Sequence, residues 1–404
     1  MADIGSFSSS DPDRHRNDNQ EKKKMSLTVT RQPNPYCFTG NAITFEVLTD
    51  ACEAIVVDII CKGITQLASY YPFRQGDSYI VRFDIADYLY READHEDYPS
   101  GQIIAPLDNF AIPFQVKIGD DYTFEGTAFK GGIDNRTLAA LAKEGFDIFT
   151  YRLNSRFEQF LFTTRTHAKV VRVRESELYP FVFIHPGGPV TISSENGATA
   201  TGFDFPQGTV CMLDVAAVRE HFLLTSGKDC NTIAVSPAGE YAFSVQVMPN
   251  QPSEDRYLIR FRNSLGAFEV VEVVGTATHE PEIGEADTYL TLTNHGFYED
   301  RRDRLSLKDV KKVETGYKTK EEILFIRDMV CSDEAYFIYP DGTSFRCNVS
   351  ADQMKYSHRQ TAPTSIPLVV TDVNNSRYVA PELDWSTLAD FDTVFDDSYE
   401  GTFE

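Results

Sequence analysis

The sharpest hydrophobic pattern in the chain lies over residues 318–349. Thr319 and Glu322 match a Thr-x-x-Glu capping box, in which each side chain accepts a hydrogen bond from a free amide at the start of a helix. Apolar residues then recur at three- and four-residue spacing, which predicts an amphipathic helix with one buried stripe. That stripe consists of Ile323, Ile326, Met329 and Val330.

A hairpin is predicted directly after this helix. Residues 335–339 and 344–349 read as short strands, and the Pro-Asp-Gly at 340–342 is a strong turn signal between them. The unit holds no nucleophile paired with a base, which favours a structural role. Cys331 and Cys347 stand beside apolar residues and are predicted to pack as small hydrophobes.

The rest of the chain alternates apolar and polar residues over short runs. Such runs, separated by turn residues, are typical of β-sandwiches and barrels. Asp134 or Asn135 is predicted to cap a helix over 136–144, which Gly145 ends. The predicted fold is mainly β, with serial β-sandwich or barrel modules, a few short helices and a C-terminal α+β module. The predicted strands cover parts of 26–50, 54–61, 78–83, 110–118 and 147–163.

Composition and turn signals divide the chain into five segments. Both termini are poor in core-forming patterns, and the acidic stretch 278–287, with a Pro and a Gly, reads as a linker. The segments are 1–24, a disordered N-terminus; 25–165, a β-module with an inserted helix; 166–277, a second β-module; 278–380, the α+β module; and 381–404, an acidic tail that bears aromatic residues.

The second module has features of a repeat of the first. Over 75–86 the order is Gln-Gly, strand, Asp-Ile-Ala, and over 207–216 it is Gln-Gly, strand, Asp-Val-Ala. Residues 150–162 are likewise echoed by 259–273. Chance similarity between hairpins is the alternative interpretation, because Arg156 stands where the first copy would need its turn glycine.

Charge and cysteine content exclude several classes of protein. The net charge of -23 argues against a nucleic-acid surface, since phosphate binding requires a basic patch. No run of about 18 apolar residues predicts a membrane-spanning helix, and the N-terminus lacks the pattern of a secretory signal. The 7 cysteines are widely spaced without Cys-x-x-Cys, which indicates a reducing compartment and no disulfides.

One acidic cluster has the composition of a cation site. Oxygen-rich sites of this kind can hold calcium, but the cluster lacks the spaced loop and turn glycine of an EF-hand. A solvated acidic loop is therefore the preferred interpretation. The cluster consists of Asp84, Asp87, Asp94, His95, Glu96 and Asp97.

The remaining histidines lack a catalytic motif. His185 precedes a Pro-Gly-Gly-Pro turn, and no His-Glu-x-x-His, Gly-x-Ser-x-Gly, Walker loop or Gly-x-Gly-x-x-Gly occurs. A glycosidase needs only two facing carboxylates, so that class stays open among 61 acidic residues. We predict no enzyme, no catalytic residue, no cofactor and no metal. His279 and His295 stand near the acids Glu280, Glu282, Glu299 and Asp300.

Three stretches, in the same order, resemble tail proteins of Bacteroides-group phages and prophages. The N-terminal RQPNPYCFTGNAITFEVLTD is similar to a Pro-x-x-Phe-x-Gly-Asn phrase that leads into a strand. RFRNSLGAFEVVEV is similar to their Asn-x-x-Gly-x-aromatic-acid hairpin, here Asn263, Gly266, Phe268 and Glu269. The unit from Gly316 onward, with its Ser-x-Glu-x-Tyr phrase and a late strand ending in Thr371-Asp372, resembles their C-terminal part.

This resemblance implies a structural virion protein of the tail tip or baseplate. Its expected partners are other virion proteins in homo- and hetero-oligomeric contacts, with assembly in the bacterial cytoplasm and no nucleic acid or membrane insertion. Two alternatives stay open at this point. A carbohydrate-binding adhesin would use exposed aromatics such as Tyr98, Trp385 or Tyr399, and an enzyme would show one concave site with paired acids.

Deletion of residues 381–404 is predicted to leave the modules folded and to weaken assembly. The acidic, aromatic-bearing tail has the composition of a segment that is disordered alone and orders on a partner. Co-assembly of the truncated chain with its neighbours measures this. Assembly at full strength would contradict the prediction.

Overall fold

The computed structural model describes residues 26–76, 78–92, 98–120, 122–144, 161–166, 169–237, 239, 241–285, 287–351, 354 and 363–374. The predicted mainly-β fold is confirmed, since sheets and a six-stranded barrel account for most of this part of the chain. The two predicted terminal segments, 1–24 and 381–404, lie outside the described residues.

The first sandwich is built from a four-stranded sheet, β1-β3-β7-β6, and a five-stranded sheet, β2-β10-β9-β4-β5. Alternating side chains of both sheets meet in one core, as Ile55, Val57 and Ile59 of β4 illustrate. Its elements are β1 (Leu27–Arg31), β2 (Tyr36–Phe38), β3 (Thr44–Thr49), β4 (Ile55–Cys61), β5 (Ile64–Tyr70), β6 (Phe73–Gln75), β7 (Ser78–Asp84), α1 (Ala86–Glu92), β9 (Ala111–Ile118), β10 (Tyr122–Phe129) and α2 (Asn135–Lys143).

The second sandwich has the strand order of the first. Its five-stranded sheet runs β11-β17-β16-β13-β14. In the first sandwich β2 pairs in parallel with β10, the last strand of that module, and in the second β11 pairs in parallel with β17, the last strand of its module. A helix follows the corresponding strand in each copy. The elements are β11 (Val170–Arg174), β12 (Phe181–Ile184), β13 (Gly188–Ser194), β14 (Thr199–Phe205), β15 (Val210–Leu213), α3 (Val215–Ser226), β16 (Thr232–Pro237) and β17 (Phe243–Met248).

The two matched Asp residues of the predicted repeat occupy equivalent positions. The carboxylate of Asp84 accepts from the amide of Ala86 at the start of α1 (2.9 Å), and that of Asp214 accepts from Ala216 at the start of α3 (2.9 Å). Each Asp thus ends a strand and starts a helix. The other matched segment, 150–162, lies almost wholly outside the described residues.

One strand of the second sandwich comes from the chain of the first. β8 (Ile104–Pro106) leaves the first module after α1 and pairs antiparallel with β15, which completes a β12-β15-β8 sheet. At the opposite edge of this sheet, Leu161 forms an isolated β-bridge to Phe183 of β12. β8 stands where the first sandwich has β6, so the modules share a sheet and not merely a linker.

The C-terminal module is a closed antiparallel barrel of order β18-β19-β24-β27-β26-β25. Helix α4 packs its apolar face into the barrel core, where Phe325 lies 5.2 Å from Phe261 between ring centroids. The elements are β18 (Arg256–Arg262), β19 (Phe268–His279), β24 (Val310–Glu314), α4 (Lys320–Val330), β25 (Ala335–Ile338), β26 (Ser344–Ser350) and β27 (Pro367–Asp372).

Local predictions agree closely with this module. The capping box is confirmed, because Glu322 accepts from the amide of Thr319 at 2.7 Å and Thr319 accepts in return. The β25–β26 hairpin is confirmed as well. Cys347 is buried as predicted, but Cys331 is exposed because it caps the C-terminus of α4 and lies outside the apolar stripe.

Two predicted features differ from the structure. The boundary between residues 277 and 278 falls inside β19, since the barrel begins at Arg256 and closes by pairing β18 with β25. The predicted linker 278–287 contains the end of β19 and a further strand, Glu282–Ile283. Acidic residues with a Pro and a Gly resemble a linker in sequence, but here they are paired in a ladder.

Glycines let the first sandwich touch the barrel backbone to backbone. A Cβ added at Gly266 would lie 1.5 Å from the carbonyl oxygen of Lys130, and one at Gly131 would lie 2.6 Å from that of Ser264. The amide of Gly132 donates to Ser264 (2.6 Å), and that of Gly40 donates to Gly131 (2.6 Å). Only glycine permits this approach, so the β18–β19 turn is locked against the first sandwich.

A buried ionic cluster fixes the second sandwich to the barrel. Arg165 forms ion pairs with Glu177 (2.8 Å) and with Glu269 of β19 (3.4 Å), and its guanidinium lies over the Phe325 ring at 4.3 Å. Lys318 of the barrel module reaches Glu177 at 3.5 Å. We call these four charged residues, Arg165, Glu177, Glu269 and Lys318, the junction cluster.

The two carboxylates of the junction cluster differ in pKa. Burial alone would raise the pKa of Glu177, but Arg165 and Lys318 outweigh burial and hold that pKa at about 2. At Glu269 burial dominates and raises the pKa, although Arg165, Asn263 and Thr163 oppose it. Glu177 therefore keeps its negative charge in contact with both buried cations, Arg165 and Lys318.

Replacement Glu177→Gln is predicted to lower the melting temperature at neutral pH, because Arg165 and Lys318 lose a buried counter-charge; about 3–5 kcal/mol is typical of such a loss. The folded-state pKa of Glu177 lies below its usual 4.5, so its contribution is present above that pH and is lost as pH falls toward 2. Calorimetry between pH 7 and the acid limit should show the gap to the wild type narrowing below about pH 4.5.

Glu220→Gln on the exposed side of α3 is the matched control, since it removes the same charge from the surface. Its melting temperature should follow that of the wild type at every pH. A Glu177→Gln gap of constant size down to the acid limit would contradict the role assigned to the buried carboxylate.

Candidate functional site

A two-stranded arm leaves the barrel between β19 and β24. β19 bends where its register with β24 shifts between Val274 and Thr278. Gly275 (φ 100°) and Ala277 (φ 44°) both have positive φ there, and Ala277 is buried in the barrel core. Such a bulge re-aims a strand. It directs the chain out of the barrel wall and into the arm, residues 280–309.

The arm contains two short antiparallel ladders. β20 (Glu282–Ile283) pairs with β23 (Leu307–Lys308), and β21 (Thr288–Leu292) pairs with β22 (Tyr298–Arg302). The amide of Gly284 donates to Ser306 (2.9 Å) next to the first ladder, and that of Asp303 donates to Asp287 (3.1 Å) next to the second. At ~3.3 Å per residue, each five-residue strand of the outer ladder spans about 17 Å.

Ion pairs hold the base of the arm. Asp309 accepts from Lys311 and lies 3.3 Å from Nδ1 of His279, while Lys312 pairs with Glu280 at 2.5 Å. Burial alone would raise the pKa of Asp309, but Lys311 and His279 outweigh it and lower that pKa. Lys311 is buried beneath the Phe345 ring, so it fixes the end of the arm to the barrel wall.

Apolar side chains on the outer part of the arm are exposed. Every residue of β21 and β22 except Thr291 is exposed. Leu290 is 67% exposed, and Phe297 and Tyr298 are each 71% exposed. Further exposed apolar residues of the arm are Ile283, Tyr289 and Leu292.

This arrangement suits binding to another protein surface. A two-stranded ribbon is marginally stable alone in water, because it cannot bury either face. Its outer backbone edges can add to another sheet, and its apolar side chains gain free energy when a partner covers them. We therefore take the arm as the candidate functional site.

Several residues that the sequence analysis considered as possible metal ligands or catalytic groups have other roles in the structure. Asp84 accepts from backbone amides, His279 and Glu280 form the ion pairs at the arm base, and His295 lies at the arm tip between Thr293 and Phe297. Glu282 lies in β20, and Glu299 and Asp300 lie in β22. Among the described residues no three His, Cys, Asp or Glu side chains form a group that could hold a metal ion. Residues 94–97 lie outside the described part of the chain.

His185 and Tyr98, which the sequence analysis named as candidate functional residues, both form hydrogen bonds with backbone amides. His185 is fully buried, its Nδ1 accepts from the amide of Gly187 (3.1 Å), and burial lowers its pKa. Tyr98 was predicted as a candidate sugar platform, but its hydroxyl accepts from the amide of Phe268 (3.1 Å) and burial raises its pKa. The ring of Tyr98 is half-buried between modules, whereas the adhesin alternative expects an exposed aromatic. Trp385 and Tyr399 lie outside the described residues.

A groove of about 240 Å³ lies between the first sandwich and the barrel. In its wall Asp328 accepts from Thr164 (2.7 Å) and from the amide of Ser264 (3.0 Å), and Tyr90 donates to Asp333 (2.5 Å). The Thr164–Asp328 and Tyr90–Asp333 bonds join residues of different modules. The groove is thus part of the joint.

Sequence reasoning missed the arm, although a signal was present. Residues 288–292 alternate Thr, Leu and Leu with Tyr and Thr, and Asn294-His295-Gly296 follows as a turn. This pattern predicts a hairpin. The sequence holds no comparable signal that both faces of the hairpin are exposed.

None of the helices in the described ranges is both long and apolar enough to cross a membrane. No family model and no curated protein matches the chain.

Among solved structures, the chain is similar to a chimeric titin Z1Z2-Z1Z2 tandem at 11% identity and TM-score 0.14, over 56% of this chain and 100% of that one. It is similar to Dpr2 Ig1-Ig2 in complex with DIP-Theta Ig1-Ig3 at 9% identity and TM-score 0.17, over 89% of this chain and 91% of that one. It is also similar to the N-terminal Ig1-2 module of Drosophila receptor protein tyrosine phosphatase DLAR at 8% identity and TM-score 0.12, over 55% of this chain and 98% of that one. At these TM-scores the similarities carry no argument about function.

Replacement of residues 285–305 by an Asn-Gly turn is predicted to leave the barrel intact. Gly284 and Ser306 already bond across the ribbon, and a two-residue turn can close it there. The melting temperature should stay at the wild-type value, while the fluorescence of a dye that binds exposed apolar surface should fall. A drop of several degrees would mean that the arm packs on the barrel.

Proposed function

We propose that the protein is a non-enzymatic structural component of a multisubunit particle, namely the tail tip or baseplate of a bacteriophage or a related injection particle. The observation that carries this proposal is the arm, whose apolar side chains are uncovered in the isolated chain. A segment of this kind becomes stable when a neighbouring subunit covers it.

The joints between the modules support an assembly role. An assembly component must present its contact surfaces at fixed angles, so that weak contacts add over a symmetric particle. The junction cluster and the close approach of Gly131 and Gly266 restrict the angles between the modules. The arm, which the β19 bulge directs out of the barrel, then has a defined direction relative to the sandwiches.

The choice of a phage tail among possible particles rests on the sequence resemblance. Its first stretch runs from the last residue of β1 through β3, and its second covers the turn and adjoining parts of the β18–β19 hairpin. These two stretches approach one another at the joint, since Gly40 bonds to Gly131 and a Cβ on Gly131 would meet Ser264. The proposed partners are other virion proteins, met during assembly in the bacterial cytoplasm.

The adhesin alternative has less support. Of its three candidate platforms, Tyr98 accepts a hydrogen bond from the backbone of β19 at its hydroxyl, and its ring lies 5.5 Å from that of Tyr179 between centroids, at a tilted angle. A sugar platform requires an open ring face. No observation on the described residues favours this alternative over the assembly role.

Mass spectrometry of density-purified particles from the induced source culture tests the proposal. The wild-type chain is expected at a fixed low ratio to the major capsid protein, and the 285–305 replacement should be depleted from particles. Leu224→Ser is the control, because it removes an apolar side chain that is 78% exposed on α3, away from the arm. Absence of the wild-type chain from particles while it is abundant in the lysate would exclude the proposed function.

A further inference from the structure

Free strand edges in the two sandwiches are mostly blocked against pairing. Exposed edges template association, and proteins protect them with charges, prolines, bulges or short length. Here β1 carries Arg31 and a register shift, β6 has three residues including Arg74, β8 ends at Pro106, β11 carries Arg172 and Arg174, β2 has three residues, and β14 carries Gly202 and Asp204 beside a register shift.

β5 is an edge strand without any of these devices. Its seven residues, ITQLASY, contain no charge, proline or glycine, and they pair with β4 in an unbroken register. It is the outermost strand of its sheet, and Leu67 is 70% exposed. Ile64 in the same strand is exposed as well. β5 therefore offers an open backbone edge with apolar side chains beside it.

β21 of the arm has the same character. Its sequence, TYLTL, is uncharged and rich in residues that favour strands, whereas β22 carries Glu299, Asp300, Arg301 and Arg302. β21 pairs with β22 on one side, and in the described part of the chain no strand pairs with its other side. The arm is thus protected on its β22 edge and open on its β21 edge.

We propose that β21 of one copy adds to β5 of a second copy and extends its five-stranded sheet. Main-chain hydrogen bonds would join the two open edges. Leu290 and Leu292, which share one face of β21, would lie beside Leu67 on one face of the extended sheet. The chain carries a net charge of -23, so copies repel one another. Two uncharged strands permit contact without like charges facing each other.

The contact is head-to-tail, because donor and acceptor lie on different modules. Each copy donates an arm from its barrel and accepts one on its first sandwich, which generates a ring or an open array. This inference rests on the role of the arm in the proposed function and deepens it by naming the partner surface. Its test uses the purified chain and does not need the particle.

Complementation between two defective variants tests the pairing. Leu67→Lys places a charge on the acceptor strand, and Leu290→Lys places one on the donor strand, both at exposed positions. In sedimentation velocity the wild type should associate beyond dimers as concentration rises, and each variant alone should remain monomeric. An equimolar mixture should form dimers and stop there, since one intact arm and one intact β5 remain. Leu224→Lys on α3 is the control and should associate as the wild type does.

Thermal unfolding checks that the variants are folded, and Gln66→Lys replaces Leu67→Lys if that variant is not. A monomeric wild type over the whole concentration range would overturn the inference and point to a different protein as the partner. Loss of association in Leu290→Lys but not in the β5 variant would also overturn it, since that result indicates arm-to-arm pairing. Complementation by a chain that is absent from particles would retain the inference and exclude the proposed function. Presence of the chain in particles, without complementation between the variants, would overturn the inference and retain the proposed function.

Discussion

Arg165 reaches from the start of the second sandwich into the barrel, where its guanidinium meets Glu177, Glu269 and the ring of Phe325. A buried cation of this kind is tolerated only when its counter-charges are fixed around it. Those counter-charges come from both modules, so the arrangement holds only if the second sandwich and the barrel keep one relative position. The direction of the arm relative to the second sandwich depends on this constraint.

The strand edges of the molecule differ in how well they are protected against pairing with another strand. The barrel closes on itself and has no edge, and most sandwich edges carry a charge, a proline, a bulge or only three residues. β5 and β21 lack such protection. An open, uncharged edge is a hazard in an isolated monomer but is useful in an assembly, because backbone pairing supplies affinity and register together. The two open edges therefore have a common explanation in assembly.

The two sandwiches share a strand order, yet their modules are not separable along the chain. β8 leaves the first module to complete the second, and Leu161 bridges to Phe183 on the opposite side of the same sheet. An aromatic cluster then forms where the modules meet, with Phe129 and Phe162 at 5.2 Å between centroids. Exchange of strands between neighbouring modules stiffens the series, which supports a role that works by geometry.

Local features were predictable from the sequence alone. The capping box at Thr319, the Asp134 cap of α2 and the β25–β26 hairpin each depend on hydrogen bonds and periodicity within about fifteen residues. The mainly-β class followed from the same short alternations. What the tertiary structure decided was non-local: the pairing of β8 with β15, the start of the barrel at Arg256, and the burial of Arg165. Alternation is the same in an edge strand and a central one, so the sequence pattern carries no mark of an open edge. Only the fold decided that β5 and β21 each have one edge unpaired in the described part of the chain, because that depends on which strands lie beside them.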